Sequence, residues 1–133
     1  MNIIKIEGIG EVYRKKLNAI GITTTGALLK AGTTPKGRKE LAEKSGITET
    51  LILEWVNLAD LMRVKGVGEE YSDLLEEAGV DTVKELRNRR ADNLHKAMLE
   101  TNTQKKLVRR PPSLKEVESW VEQAKALPPV VTY

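Results

Sequence analysis

The chain contains an internal repeat, which constrains its fold more than any other feature. Residues 6–30 and 64–88 align at an offset of 58 positions, and further identities follow at an offset of 65. The identical pairs are Gly8/Gly66, Gly10/Gly68, Glu11/Glu69, Tyr13/Tyr71, Leu17/Leu75, Gly21/Gly79, Thr24/Thr82, Leu28/Leu86, Trp55/Trp120, Val56/Val121 and Ala59/Ala124. Self-similarity over this length is typical of a duplicated supersecondary unit. The sequence therefore predicts two copies of one unit.

Apolar residues recur at helical spacing within each copy. The i, i+3, i+4, i+7 pattern of a buried helix face is followed by Tyr71, Leu74, Leu75 and Ala78, by Ile52, Trp55, Val56 and Ala59, and by Val117, Trp120, Val121 and Ala124. Helix ends are also marked: Thr82 with Glu85 and Ser113 with Glu116 fit capping boxes, Thr34-Pro35 fits a helix start, and Gly21, Gly46 and Gly79 fit left-handed helix ends. No segment alternates with period two, so we predict no sheet.

Because the segments Gly8-Ile9-Gly10 and Gly66-Val67-Gly68 resemble the helix-hairpin-helix motif, the predicted fold is all-α, a tandem helix-hairpin-helix repeat that forms one compact helical body with pseudo-twofold duplication. A chain of 133 residues is long enough for one such body. Aromatic residues make up only 4% and Phe is absent, so aliphatic side chains must fill the core. We expect the first repeat at residues 1–63, the second at 64–127, and an extended C-terminal tail at 128–133.

Two short glycine motifs suggest a binding function. They are the first glycine turn, Gly8-Ile9-Gly10, and the second glycine turn, Gly66-Val67-Gly68. Each resembles the helix-hairpin-helix motif of DNA-binding and repair proteins, in which such turns bind phosphate oxygens regardless of base sequence. Glycines permit a tight turn and leave N–H groups uncovered at the start of the next helix, where the helix dipole favours an anion. The alternative is a tight connection that binds nothing.

The two copies differ in charge. Residues 6–28 carry Arg14, Lys15 and Lys16 against two carboxylates, whereas residues 64–86 carry only Lys65 and Lys84 against seven. Because carboxylates at a helix start repel phosphate, the second glycine turn is the poorer phosphate site, although we include Lys65 among the candidate residues. Its acidic helix, from Glu69 to Glu77, is an alternative docking surface for a basic protein partner.

Positive charge is concentrated between residues 87 and 110, with eight basic against two acidic side chains. One interpretation is a solvated helix face and loop. The other is a patch that binds a polyanion, since clustered cations gain from counterion release. For that second interpretation the candidate residues are Arg89, Arg90, Lys105, Lys106, Arg109 and Arg110.

Six segments along the chain carry a family resemblance: IEGIG, TPKGRKELAEKSGI, LILEWVNLADLMR, VKGVGEEY, LVRRPPS and VVTY. Through them the whole chain is similar to the bacterial family of domains of unknown function numbered 4332. The resemblance implies a helical fold with helix-hairpin-helix character. It implies no activity, since none is established for the family.

Chemistry-bearing residues are scarce. His95 is the only histidine and is expected at the surface or its boundary, cysteine is absent, and no cluster has metal-ligand spacing, so we predict no enzyme, cofactor or metal. Without a signal peptide or a long apolar run, the expected location is the cytoplasm, with no membrane association. The predicted function is sequence-nonspecific binding to the backbone of double-stranded DNA. A protein-interaction module and a binder of structured RNA remain alternatives.

Overall fold

The prediction of an all-helical chain is confirmed by the computed structural model, which describes residues 1–133. The only β-type pairing is an isolated bridge between Asn2 and Thr24. A short 3-10 helix, Ile3–Lys5, precedes eight α-helices: α1 Glu11–Ala19, α2 Thr25–Ala31, α3 Pro35–Ser45, α4 Glu49–Leu61, α5 Glu69–Glu77, α6 Val83–Leu86, α7 Ala91–Lys105 and α8 Leu114–Ala126.

One of the two predicted capping boxes forms completely. At the start of α8, the Ser113 hydroxyl accepts from the Glu116 N–H and the Glu116 carboxylate accepts from the Ser113 N–H, both at 3.1 Å. At the start of α6, the Thr82 hydroxyl accepts from the Glu85 N–H at 3.4 Å, but the Glu85 carboxylate accepts from Asp81 instead. The reciprocal capping box predicted at Thr82 is therefore wrong, because the Glu85 carboxylate bonds to the N–H of Asp81 and not to that of Thr82. Both arrangements still satisfy two N–H groups near the helix start.

The predicted glycine helix ends are confirmed. Gly21, Gly46 and Gly79 have φ angles of +85°, +74° and +100°. Residues with a Cβ adopt this left-handed region at a cost, so glycine is suited to reverse the chain there. These turns end α1, α3 and α5 and direct the chain towards the next helix.

The chain divides into two units. Unit 1 comprises Met1–Asp60 together with Val130–Tyr133, and unit 2 comprises Leu61–Pro129. The core of each unit is mainly aliphatic, with one fully buried tryptophan, as the composition requires. The core of unit 1 includes Ile3, Ile6, Leu17, Leu28, Ile52 and Trp55, and that of unit 2 includes Leu74, Leu75, Val80, Leu86, Met98 and Trp120.

The last residues of the chain are non-helical and are held against unit 1. The Thr132 N–H donates to the Thr33 carbonyl at 2.8 Å, and the Thr132 carbonyl accepts from Arg38 at 2.6 Å. The Tyr133 hydroxyl donates to the Asn57 side-chain oxygen at 3.1 Å. These contacts attach the tail to α3 and α4.

Candidate nucleic-acid interface

The first glycine turn joins the 3-10 helix to α1. Its backbone is closed by a hydrogen bond from the Ile9 N–H to the Ile6 carbonyl at 3.1 Å, and Gly8 has a φ of +94°. Ile9 is 4% exposed and anchors the turn in the core, while both glycines are exposed. Gly10 is extended, with φ −91° and ψ −170°, and serves as the N-cap of α1.

No side chain caps the start of α1. Gly10 offers no acceptor, and the first intrahelical bond is donated by the Arg14 N–H to the Gly10 carbonyl. By contrast, α2, α3, α6 and α8 each begin at a Thr or Ser whose hydroxyl accepts a hydrogen bond from the helix. The N–H groups in the first turn of α1 therefore remain available to an external acceptor. Because the helix dipole adds positive potential there, an anion is favoured.

The cations that follow this helix start are not equally available. Arg14 makes a two-point ion pair with Glu11, with Nε to Oε1 at 2.9 Å and Nη2 to Oε2 at 2.6 Å. The hydrogen bond from Arg14 is the main reason that the pKa of the Glu11 carboxyl lies below its usual value. Lys15 and Lys16 are exposed and make no ion pair, and the Lys16 ammonium lies 5.9 Å from the centre of the Tyr13 ring. Arg14 thus neutralises Glu11, and the two lysines supply the accessible charge.

A tryptophan lies directly beneath each glycine turn. A Cβ added to Gly8 would lie 3.2 Å from Nε1 of Trp55, and one added to Gly66 would lie 3.0 Å from Nε1 of Trp120. Sequence reasoning assigned these tryptophans to core helix faces and missed this contact, although both pairs recur in the repeat. Each indole also meets a tyrosine ring: Tyr13 on Trp55 with centroids 5.0 Å apart, and Tyr71 on Trp120 at 5.2 Å.

The second glycine turn has a similar backbone but an additional restraint. Gly66 has a φ of +93°, Val67 is 3% exposed, and Gly68 precedes α5 without a side-chain cap. The Gln123 side chain accepts from the Lys65 N–H at 2.8 Å and donates to the Lys65 carbonyl at 3.1 Å. Sequence reasoning did not identify Gln123, because position 58 of the first copy is leucine.

The helix that follows the second glycine turn is acidic. Glu69 and Glu70 are exposed in the first turn of α5, where their charge compensates the helix dipole. Further along, carboxylate oxygens of Asp73, Glu76 and Glu77 lie within 4.8 Å of one another, and Lys105 forms an ion pair with Glu77. This surface attracts cations and repels phosphate.

The basic run at residues 87–110 does not form one continuous stretch of surface charge. The 15 residues of α7 separate its two ends by about 22 Å, at 1.5 Å per helical residue. Arg89 and Arg90 precede α7, whereas the other candidate cations lie at its end and in the loop that follows: Lys105, Lys106, Arg109 and Arg110.

Half of these six cations are engaged by carboxylates. The ion pairs are Arg90 with Asp92 at 3.0 Å, Lys105 with Glu77, and Arg110 with Glu116 at 2.9 Å. Hydrogen bonds from Arg110, the larger cause, and from the Ser113 N–H lower the pKa of Glu116 to about 2. Lys106 and Arg109 are exposed and make no ion pair, and Arg89 is half-buried without one. The accessible charge after α7 is therefore carried by Lys106 and Arg109.

The loop that carries Arg109 is held by side chains from two helices. The Asn102 amide binds both the N–H and the carbonyl of Val108, at 2.9 and 3.2 Å. The Tyr71 hydroxyl donates to the Arg110 carbonyl at 2.8 Å, and His95 Nε2 lies 3.0 Å from the Pro112 carbonyl. His95 is half-buried and contacts this loop. We call residues 106–110 the basic loop.

The chain is thus an all-helical protein in which two helices, α1 and α5, begin at glycine turns without side-chain caps. It belongs to the family described as a domain of unknown function (DUF4332), whose model matches residues 7–127. No solved structure matches the chain. None of its helices is both long and apolar enough to cross a membrane.

Proposed function

We propose that this protein binds the backbone of double-stranded DNA without reading its sequence, and that it does so without catalysis. The observation that carries this proposal is the open start of α1, followed within two turns by Lys15 and Lys16, which make no ion pair. An uncapped helix start provides N–H donors that point at a bound phosphate. The lysines add positive charge that attracts phosphates whatever the DNA sequence. Gly8, Ile9 and Gly10 form the phosphate cradle, and Arg14 suppresses the repulsion from Glu11.

The proposal includes a tandem helix-hairpin-helix fold with pseudo-twofold duplication, in which each unit contains one repeat. It is supported by the matching φ angles of Gly8 and Gly66 and by the indole beneath each of them. Packing explains the glycines at positions 8 and 66, since their φ is positive and a Cβ there would meet the indole. At Gly10 and Gly68 a Cβ would meet no atom, and in this proposal the missing side chain lets a phosphate approach the backbone there.

The two glycine turns have different roles in this proposal. The carboxylates of Glu69 and Glu70 occupy the start of α5, so Gly66, Val67 and Gly68 act mainly in folding, and Lys65 adds only peripheral charge. The basic loop supplies additional phosphate contacts through Lys106 and Arg109. The three cations of unit 2 that form ion pairs contribute less to phosphate binding, as does the half-buried Arg89. These three are Arg90, Lys105 and Arg110.

The proposal is tested by titrating a fluorescent duplex at several salt concentrations. With two to four phosphates engaged, the logarithm of the association constant should fall with the logarithm of salt concentration with a slope of about −2 to −4. The double variant Lys15→Glu/Lys16→Glu should weaken binding at low salt by at least tenfold. Its control is Lys30→Glu/Lys44→Glu, which makes the same charge change at exposed positions of α2 and α3.

Binding that is absent at low salt, or indifferent to salt, refutes the proposal. Equal losses in the two double variants would show only a response to net charge and would move the site away from α1.

The acidic surface of α5 favours a second function, docking of a basic protein. A protein captured equally well after nuclease treatment and lost on reversal of Glu76 and Glu77 would support that function. Tighter binding to structured RNA than to duplex DNA would mean that RNA is the ligand, bound at the same phosphate cradle.

A further inference from the structure

Arg38 on α3 is a buried cation held by neutral groups. Arg38 is only 6% exposed. Its Nη1 donates to the Gly32 carbonyl at 2.9 Å, and its Nη2 donates to the Thr132 carbonyl at 2.6 Å. The guanidinium carbon lies 5.8 Å from the centre of the Tyr133 ring. Neither hydrogen bond reaches a carboxylate. Desolvation of a charge is costly, and neutral carbonyls offset it less well than an anion does.

Three of the five N–H donors of this guanidinium make no hydrogen bond to the protein, including the single one on Nε. The two hydrogen bonds use Nη1 and Nη2, which leaves the Nε–H without a protein acceptor. No fully enclosed side-chain nitrogen in the structure lacks a partner, so Nε of Arg38 is not fully enclosed. Arg38 also lines a cleft of about 350 Å³, together with Pro35, Glu49, Thr50, Leu53 and Tyr133. We call it the Arg38 cleft.

We propose that the Arg38 cleft binds a small ligand that carries an oxyanion, either a carboxylate or a phosphate monoester, on a flat apolar group. The oxyanion accepts from the Arg38 Nε–H, and the Thr50 hydroxyl at the cleft wall is a second donor. Pro35, Leu53 and the Tyr133 ring provide apolar surface for the remainder of the ligand. The volume fits a ligand with one ring, since pockets for small molecules begin at about 300 Å³.

Glu49 determines which oxyanion the cleft prefers. This exposed carboxylate is the first residue of α4 and lines the same cleft, so it repels a dianion more strongly than a monoanion. A carboxylate should therefore bind more tightly than a phosphate monoester in the unmodified protein. Removal of the Glu49 charge should reverse or abolish that preference.

The test follows the Arg38 Nε–Hε resonance in ¹H–¹⁵N spectra during titration with benzoate, phenyl phosphate or inorganic phosphate at constant ionic strength. Benzoate should produce a saturable shift, and inorganic phosphate should bind at least fivefold more weakly because it lacks the ring. Glu49→Gln should strengthen phenyl phosphate binding by two- to fivefold. Thr50→Phe, which fills the cleft from an exposed helix position without altering Arg38, should weaken benzoate binding at least tenfold.

The control variant is Lys39→Gln, which removes an exposed cation from the same helix and should change benzoate affinity by less than twofold. No saturable shift with any of the three probes overturns the proposal, as does benzoate binding that Thr50→Phe leaves unchanged. Equal weakening by Lys39→Gln would mean a diffuse charge effect and would also overturn it. Arg38 and the cleft lie outside the first glycine turn, so this result is independent of the DNA-binding test.

Discussion

The substitution Gly10→Asp should stabilise the protein and at the same time remove the proposed DNA binding. Gly10 already has the extended backbone that an N-cap residue adopts, and a Cβ built there meets no atom within 4 Å. An aspartate at this position can therefore accept hydrogen bonds from the N–H groups of Val12 or Tyr13. The same carboxylate then occupies the place that a phosphate oxygen takes in the proposed complex.

The size of the stability effect follows from two contributions. An aspartate N-cap exceeds glycine by a few tenths of a kcal/mol, and a negative charge at a helix start adds roughly 0.3–1 kcal/mol. The neighbouring Glu11 is compensated by Arg14, so most of this gain should remain. We expect the free energy of unfolding to rise by about 0.5–1 kcal/mol, which corresponds to about 2–5 °C in Tm for a chain of this size. Duplex affinity at low salt should fall at least tenfold.

Urea unfolding followed by circular dichroism measures the first effect, and fluorescence anisotropy with a labelled duplex measures the second. Gly68→Asp is the matched control, because Gly68 is also an uncapped, extended N-cap with no atom within 4 Å of an added Cβ. It should leave DNA affinity within twofold of the unmodified protein. If Gly10→Asp stabilises α1 and DNA affinity is unchanged, the phosphate does not bind at this helix. A loss of stability would refute the capping argument itself.

Two further predictions concern stability alone. Gly66→Ala should lower the free energy of unfolding by about 1–3 kcal/mol, because φ is +93° and the new methyl would lie 3.0 Å from Trp120 Nε1. The control Gly68→Ala should change the free energy of unfolding by less than about 0.5 kcal/mol. Equal effects of the two substitutions in urea unfolding would refute the role of the turn. Hydrogen bonds from Arg110 and from the Ser113 N–H hold the pKa of Glu116 at about 2 in the folded protein, against an ordinary 4.5, so the stability from these contacts is present above pH 4.5 and is lost as the pH falls to 2. After solvent screening this is about 1 kcal/mol, and Glu116→Gln should reduce the acid-induced loss of stability by that amount.

Local backbone features could be predicted from the sequence. The left-handed helix ends at Gly21, Gly46 and Gly79 and the capping box at Ser113 depend on atoms only a few residues apart. Even there, prediction reached its limit at Thr82. Whether a glutamate side chain bonds to one N–H or to the preceding one depends on the exact path of the chain, which residue types alone do not specify.

Charge availability could not be predicted from the sequence. The basic run at 87–110 was counted as a single cluster, but α7 separates its ends, and Lys105 is paired with Glu77, which lies 28 positions earlier. Arg38 stood among other charged residues of α3 with no sign that it would be buried. A count of charges along the chain gives neither the distance between two cations nor the identity of the carboxylate that pairs with each of them.

The sequence by itself determined that the chain is helical, where its glycine turns lie, and that its second copy is far more acidic than its first. These properties depend on residue type and short-range spacing. Only the tertiary structure decided that Trp55 and Trp120 lie against the turn glycines, that Lys15 and Lys16 make no ion pair, and that the buried Arg38 lines a cleft. Each of these depends on atoms brought together through space by packing, and their separation in the sequence carries no information about that distance.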